Sequence, residues 1–199
     1  MINYSFISKT EEFLSKEGLI KVDLPWVASE EAIAASMPDF VKPVYLSGYV
    51  ISKNNGILIG SAEQSFIQKA LEGKLINKSF YYATTPCFRN EIEEDHHHKP
   101  YFLKTEMFVA SEKQFEATFY SRVLIDIAQR NFAQFVDLEK ISVVVIPEEE
   151  YGTNVLFQED IFINGVEVGS YGVRKLSDNL FVTFGTGIAE PRFSTVISQ

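Results

Sequence analysis

The sequence predicts an α+β fold, an antiparallel β-sheet flanked by helices. Three observations carry this reading. Segments of strand character outnumber those of helical spacing and do not alternate regularly with them. Two strand pairs are split by hairpin signals, Lys53-Asn54-Asn55 and Asn164-Gly165, which imply antiparallel neighbours. A chain of 199 residues, 46% hydrophobic, can bury one sizeable core, so residues 1–199 are expected to form a single domain.

Taken in order, Phe6, Phe13 and Leu14 opposite Glu11, Glu12 and Lys16 give an amphipathic helix from about Tyr4 to Glu17, stopped at Gly18. Leu19 to Leu24 reads as a short strand closed by Pro25. Trp26 to Lys42 suits a short helix or a loop and ends at Pro43. Tyr45 to Ser52 and Gly56 to Ile59 read as hairpin strands, and Ala62 to Leu71 as a helix ending at Gly73. Ser79 to Glu91 and Tyr101 to Ala110 read as antiparallel strands joined by an acidic, His-rich loop, Ile92 to Pro100. Glu112 to Phe135 has helical spacing and is the longest helix. Ile141 to Ile146 is a strand, Asp160 to Val173 a hairpin, and Leu180 to Phe184 a last strand. Gly185-Thr186-Gly187 then leads into a terminal helix from about Ile188.

Composition narrows the class. Cys87 is the single cysteine, so no internal disulfide forms, and no apolar run approaches the roughly 20 residues of a membrane span. The start, Met1 to Phe6, has no features of a secretion signal, and a cytoplasmic location is expected. Net charge is −9, from 27 acidic and 18 basic residues, which opposes sequence-independent binding to nucleic-acid phosphates.

Four local patterns carry chemistry. The first is the helix-strand unit ending at Pro25. The second is Phe88-Arg89-Asn90-Glu91 with Phe102 and Glu106. On paired strands Arg89 and Glu91 share one face, as do Phe102, Lys104 and Glu106, so a guanidinium, carboxylates and an aromatic ring can converge. Such a set suits a phosphate and a stacked purine; it equally suits a sheet ion pair of Arg89 with Glu91 or Glu106. In the third, an Asn164-Gly165 turn pairs Phe162 with Glu167 and puts Asp160 and Glu167 on one face. Adjacent carboxylates suit Mg²⁺ with phosphates, or simply an exposed acidic face. The fourth is Gly185-Thr186-Gly187 followed by Arg192, readable as a close backbone approach or a helix cap. His96, His97 and His98 point in successive directions and make a poor tetrahedral metal site. Cys87 reads as an inert packed residue.

In order and chemistry these patterns resemble the catalytic core of class II aminoacyl-tRNA synthetases over nearly the whole chain. Phe6 to Pro25 is similar to motif 1, Phe88 to Glu91 with Phe102 to motif 2, and Gly185 to Arg192 to motif 3. Asp160-Ile-Phe-Ile-Asn-Gly-Val-Glu167-Val-Gly169, with Arg174, most resembles the aspartyl/asparaginyl branch and its asparagine synthetase-like relatives, and Ser61-Ala62-Glu63 resembles that branch's serine-containing recognition segment. The resemblance implies a homodimer formed through Phe6 to Pro25 and ATP-dependent activation of an amino acid as its acyl-adenylate. It implies that Arg89 and Arg192 are catalytic, and that Arg89, Glu91, His97, Phe102 and Arg192 bind ATP. Ser61, Glu63 and Arg174 would bind the amino acid, aspartate- or asparagine-like, and Asp160 and Glu167 would hold Mg²⁺. Four departures stand out. His97-His98 replaces an Arg-His pair, Tyr101 replaces a glutamate, Phe66 stands where aspartyl enzymes carry a lysine, and no anticodon-binding domain precedes Phe6. The last of these, with the net charge of −9, favours ammonia, an amine or a carrier over tRNA as acyl acceptor, while the His and Tyr replacements favour a silent site. A silent paralogue with a regulatory ligand- or partner-binding role, or a tRNA-aminoacylating core, is the alternative.

Because Glu167 and Arg174 are an odd number of residues apart, strict alternation would place them on opposite faces. The specificity role of Arg174 therefore requires a β-bulge near Gly169 to Gly172.

Overall fold

Asn3 and Gly18 bound the first helix by different physics. The Asn3 side chain accepts from the Ser5 amide at 3.1 Å, and Gly18 supplies the left-handed turn (φ +86°) that lets Leu19 N–H close onto the Leu14 carbonyl. The computed structural model describes residues 1–36, 44–45, 56–89, 99–152 and 154–198. In chain order the elements are α1 (Tyr4–Lys16), β1 (Ile20–Lys21), β2 (Val27–Ala28), α2 (Glu30–Ala34), β3 (Val44–Tyr45), β4 (Ile57–Leu58) and α3 (Ala62–Leu71). There follow β5 (Phe80–Phe88), β6 (Tyr101–Ser111), α4 (Gln114–Phe132), β7 (Ile141–Val145), β8 (Val155–Ile163), β9 (Val166–Ser177), β10 (Leu180–Glu190) and α5 (Arg192–Ile197).

Seven strands form one sheet in the order β1-β5-β6-β10-β9-β8-β7, and β2-β4-β3 form a small antiparallel one. The large sheet is antiparallel throughout except at β1, which runs parallel to β5. The sequence reading of Leu19 to Leu24 as a strand shrinks to Ile20–Lys21, because only that edge pairs. The Trp26 to Lys42 ambiguity resolves into both β2 and α2, the latter capped by Ser29, whose hydroxyl accepts from Ala32 N–H at 3.3 Å. β3 and β4 pair antiparallel as the hairpin reading expects, but its Lys53-Asn54-Asn55 turn lies outside the described residues.

Alternation along the long strands divides the core in two. One face, with Met107, Val109, Ile161, Tyr171 and Ile188, is covered by α1, α4 and α5. The other carries Tyr81, Ala83, Phe108, Ala110, Val182 and Phe184, and α2 and α3 cover only part of it. Phe66 of α3 stacks on Phe108 with centroids 4.8 Å apart, so the position where aspartyl enzymes carry lysine is a core anchor here.

Two expectations are corrected. Gly185-Thr186-Gly187 does not open a helix: β10 runs through it to Glu190 and α5 starts at Arg192. These glycines sit inside a sheet flanked on both sides. A Cβ on Gly185 would lie 2.5 Å from the Tyr171 ring, so the residue is small to admit a side chain rather than to turn the chain. The bulge required on β9 exists but sits one residue earlier than expected, at Val168, where the register passes from Phe162↔Glu167 to Ile161↔Gly169. The turn before it is as read, Asn164 and Gly165 both having positive φ (52° and 78°).

Candidate active site

The part of the second face that α2 and α3 leave open is a pocket of about 300 Å³. Its groups are set by register. Thr85↔Lys104, Ala83↔Glu106 and Thr186↔Glu106 place Lys104 and Glu106 on this face, and the Val168 bulge rephases β9 so that Ser170, Gly172 and Arg174 join them. Ser61 and Glu63, at the start of α3, complete the wall.

Glu106 is fully buried and fully answered. It accepts from Lys104 Nζ at 2.9 Å, from the Ser61 hydroxyl, and from Glu63 N–H at 3.2 Å. The Ser61 hydroxyl therefore leaves the capping of α3 to the Glu106 carboxylate, a negative charge placed at the positive end of the helix. Arg174 Nε donates to Glu63 Oε1 at 2.6 Å, both side chains are buried, and the guanidinium lies 4.9 Å from the Phe184 ring centroid. Burial raises the Glu63 carboxyl above the ordinary range; the Arg174 guanidinium pulls the other way and the Glu106 carboxylate adds to the rise.

Arg89 follows the last residue of β5. Its Nε donates to the Gly60 carbonyl at 3.1 Å and its guanidinium lies 5.1 Å from the Phe102 ring centroid. The sheet ion pair of Arg89 with Glu106 does not form, since Lys104 takes that carboxylate. Asp160 and Glu167 share the face, at the β8–β9 end. Burial lifts the Asp160 carboxyl above the usual range, hydrogen bonds from Ser170 and Gln158 oppose the rise, and the Glu167 charge adds to it. Glu167 accepts from Arg192 at 3.0 Å, and Arg192 opens α5 just past the Glu190↔Leu103 pair, at the end of β6 that carries Phe102. Glu91 and His97 lie outside the described residues.

Among the described residues no group of three or more His, Cys, Asp or Glu side chains is placed to hold a metal. The chemistry of the Asp160 and Glu167 pair still fits Mg²⁺, which binds through one or two carboxylates when phosphates supply the rest of its oxygens. Asp160 should titrate above the usual aspartate range, and Glu167→Gln should bring it down by removing the like charge. Carboxyl NMR shifts followed against pH check this, an unchanged Asp160 titration in the variant being the contrary result.

Cys87 is buried on the same face, its thiol pushed up to about 11 by burial, so the reading of it as an inert packed residue agrees with its environment. Iodoacetamide at pH 8 should leave it unmodified in the folded protein and alkylate it after denaturation; mass spectrometry reads both.

Sequence reasoning missed Ser36, Gln64 and Glu150 as pocket residues. Ser36 lies in the ambiguous segment, and Glu150 in a run of three glutamates with no periodic signal. Gln64 was legible as a helical residue only.

Solved structures similar to this chain have the same fold. Seryl-tRNA synthetase from Pyrococcus horikoshii, complexed with ATP, superposes with a TM-score of 0.77 at 20% identity, covering 97% of this chain and 49% of that one. Serine-tRNA ligase from Naegleria fowleri, in complex with AMP, gives 0.77 at 17% identity over 97% and 47%. Giardia lamblia prolyl-tRNA synthetase, with prolyl-adenylate, gives 0.73 at 9% over 96% and 44%. The fold is that of class II aminoacyl-tRNA synthetase catalytic cores, and this chain spans about half the length of these structures. No family model and no curated protein matches the sequence. Among the described residues no helix is long and apolar enough to cross a membrane.

Proposed function

We propose that this chain activates an amino acid with ATP, forming an acyl-adenylate. The observation that carries the reading is the meeting, on one sheet face, of Arg89 over Phe102 with a polar pocket built on the Glu63–Arg174 pair. The amino-acid carboxylate attacks the ATP α-phosphorus in line, the bond to the bridging oxygen breaks, and pyrophosphate leaves. No general base is needed because the nucleophile is already ionised. Arg89 and Arg192 answer charge at the phosphates, and positioning does the rest. Phe102 offers a ring to the purine, with Arg192 on its other side, while Glu91 and His97 belong to the ATP contacts. Asp160 and Glu167 would hold Mg²⁺, which when bound would neutralise phosphate charge.

Ser61, Glu63 and Arg174 receive the amino acid, whose side chain is polar, aspartate- or asparagine-like, as the Asp160 to Gly169 motif suggests. The solved neighbours, seryl and prolyl enzymes, support activation rather than that branch. A net charge of −9 favours ammonia, an amine or a carrier over tRNA as acceptor. Labelled pyrophosphate should exchange into ATP only when the correct amino acid is present. Exchange with no amino acid, or with none of them, contradicts the reading.

The proposed enzyme is a homodimer through Phe6 to Pro25. Exposure of Tyr4 (67%), Ile20 (47%) and, just beyond, Trp26 (58%) leaves apolar surface for a partner copy. Sedimentation at micromolar concentration should give a dimer that Ile20→Asp dissociates; a monomer in the unmodified protein would contradict it.

A further inference from the structure

Two polar groups in the pocket wall have no partner among the described residues. Ser36 is more than nine-tenths buried, lines the pocket, and its Oγ makes no hydrogen bond. Gln64, also buried, uses Oε1 to accept from Gly60 N–H at 2.7 Å, while its Nε2 donates to no described residue. A buried hydroxyl left like that of Ser36 is unfavourable unless a ligand completes it, and the Gln64 amide is a second donor in the same wall.

Among the described residues the charges of the pocket are matched in number. Arg89, Lys104 and Arg174 line it with Glu63, Glu106 and Glu150, three against three. Two of the cations are held in buried ion pairs, Lys104 with Glu106 at 2.9 Å and Arg174 with Glu63 at 2.6 Å. An acidic side chain entering here would meet Glu63, Glu106 and Glu150 with Lys104 and Arg174 already paired and Arg89 assigned by the proposed reaction to the phosphate, and an apolar one would seal Ser36 Oγ and Gln64 Nε2 away from any partner.

We infer that Ser36 and Gln64 select an amino acid whose side chain is neutral and carries a hydrogen-bonding oxygen, a hydroxyl or a carboxamide. Gln64 Nε2 donates to that oxygen, and the Ser36 hydroxyl donates or accepts according to the group. This narrows the substrate class and excludes aspartate. It rests on the reading of the pocket as an amino-acid site, and it does not need the adenylation step.

Calorimetric titration of the whole chain with single amino acids tests it. The best of serine, threonine, asparagine and glutamine should bind at least about 10-fold tighter than alanine, valine, leucine or methionine, and than aspartate or glutamate. Ser36→Ala and Gln64→Met should each shrink the polar-over-apolar ratio by roughly 3- to 10-fold. A merely structural role would weaken all ligands together and leave that ratio fixed, so the ratio is decisive even where a variant is less stable. Tightest binding of an acidic or apolar amino acid, an unchanged ratio in both variants, or no binding of any amino acid overturns the inference. Pyrophosphate exchange run beside it separates the two readings. Selective binding without exchange counts against adenylation alone, and exchange driven best by aspartate counts against this inference alone.

Discussion

Arg89→Ala is expected to lower amino-acid-dependent pyrophosphate exchange by roughly 10² to 10³-fold, with the loss in kcat rather than in KM for the amino acid. The magnitude follows from removing a preorganised donor at the centre where charge develops, worth about 3 kcal/mol in comparable sites. Preorganisation is visible in the side chain's restraints, the Gly60 carbonyl on Nε and the Phe102 ring beneath the guanidinium. Arg89→Lys should restore little, since a point charge cannot replace a planar fork held over a ring by a hydrogen bond to its Nε. His97→Ala should weaken exchange less, because the γ-phosphate contact proposed for it would be remote from the reacting phosphorus. Equal losses from Arg89→Ala and His97→Ala in steady-state kinetics would contradict the assignment.

The second large effect falls on stability. Arg174→Ala leaves the buried Glu63 carboxylate without its guanidinium, a change that destabilises by about 3–5 kcal/mol where an ion is stranded in a core. For a chain of this length that lowers Tm by roughly 6–20 °C. The pH dependence has a definite sign. Glu63 in the folded protein already holds its proton more tightly than an ordinary glutamate, and loss of Arg174 strengthens that hold. The folded state therefore binds more protons than the unfolded state between the two pKa values, and stability falls as pH rises through that window. The deficit of Arg174→Ala should accordingly shrink on acidification toward the ordinary glutamate range. Adding Glu63→Gln should recover part of the loss, because the stranded charge is gone. Thermal melts of both single variants and the double variant give the coupling energy; simple additivity would show that the pair does not act as a unit.

Much of this architecture was legible because its signals are local. The sequence reading of Ala62 to Leu71 as a helix ending at Gly73 matches the observed bounds of α3. The Asn164-Gly165 turn fixed Phe162 opposite Glu167, and parity then showed that Arg174 could face the pocket only through a bulge. What the sequence could not show is which residue the bulge would use. That choice depends on a crowded sheet centre, where Gly169 lies against Tyr171 and Thr186. The misreading of Gly185-Thr186-Gly187 has the same origin. A glycine pair looks like a turn until a buried tyrosine from the neighbouring strand is seen to need the space. Of the proposed site residues, Arg89, Ser61, Glu63 and Arg174 line the pocket, and Phe102, Asp160, Glu167 and Arg192 lie outside its lining. The pairing of Arg174 with Glu63 was not legible in the sequence, because it depends on how α3 lies across the sheet, whereas Lys104 and Glu106 share a face by strand alternation alone.

Adenylation is tested most directly by the fate of the carboxylate oxygen. With an amino acid labelled with ¹⁸O in its carboxyl group, ATP and the acyl acceptor, attack on the α-phosphorus leaves one labelled oxygen in the AMP released after transfer. Mass spectrometry of the nucleotide should find AMP carrying a single ¹⁸O and unlabelled pyrophosphate. Label in inorganic phosphate together with ADP would place the attack on the γ-phosphorus and contradict the account.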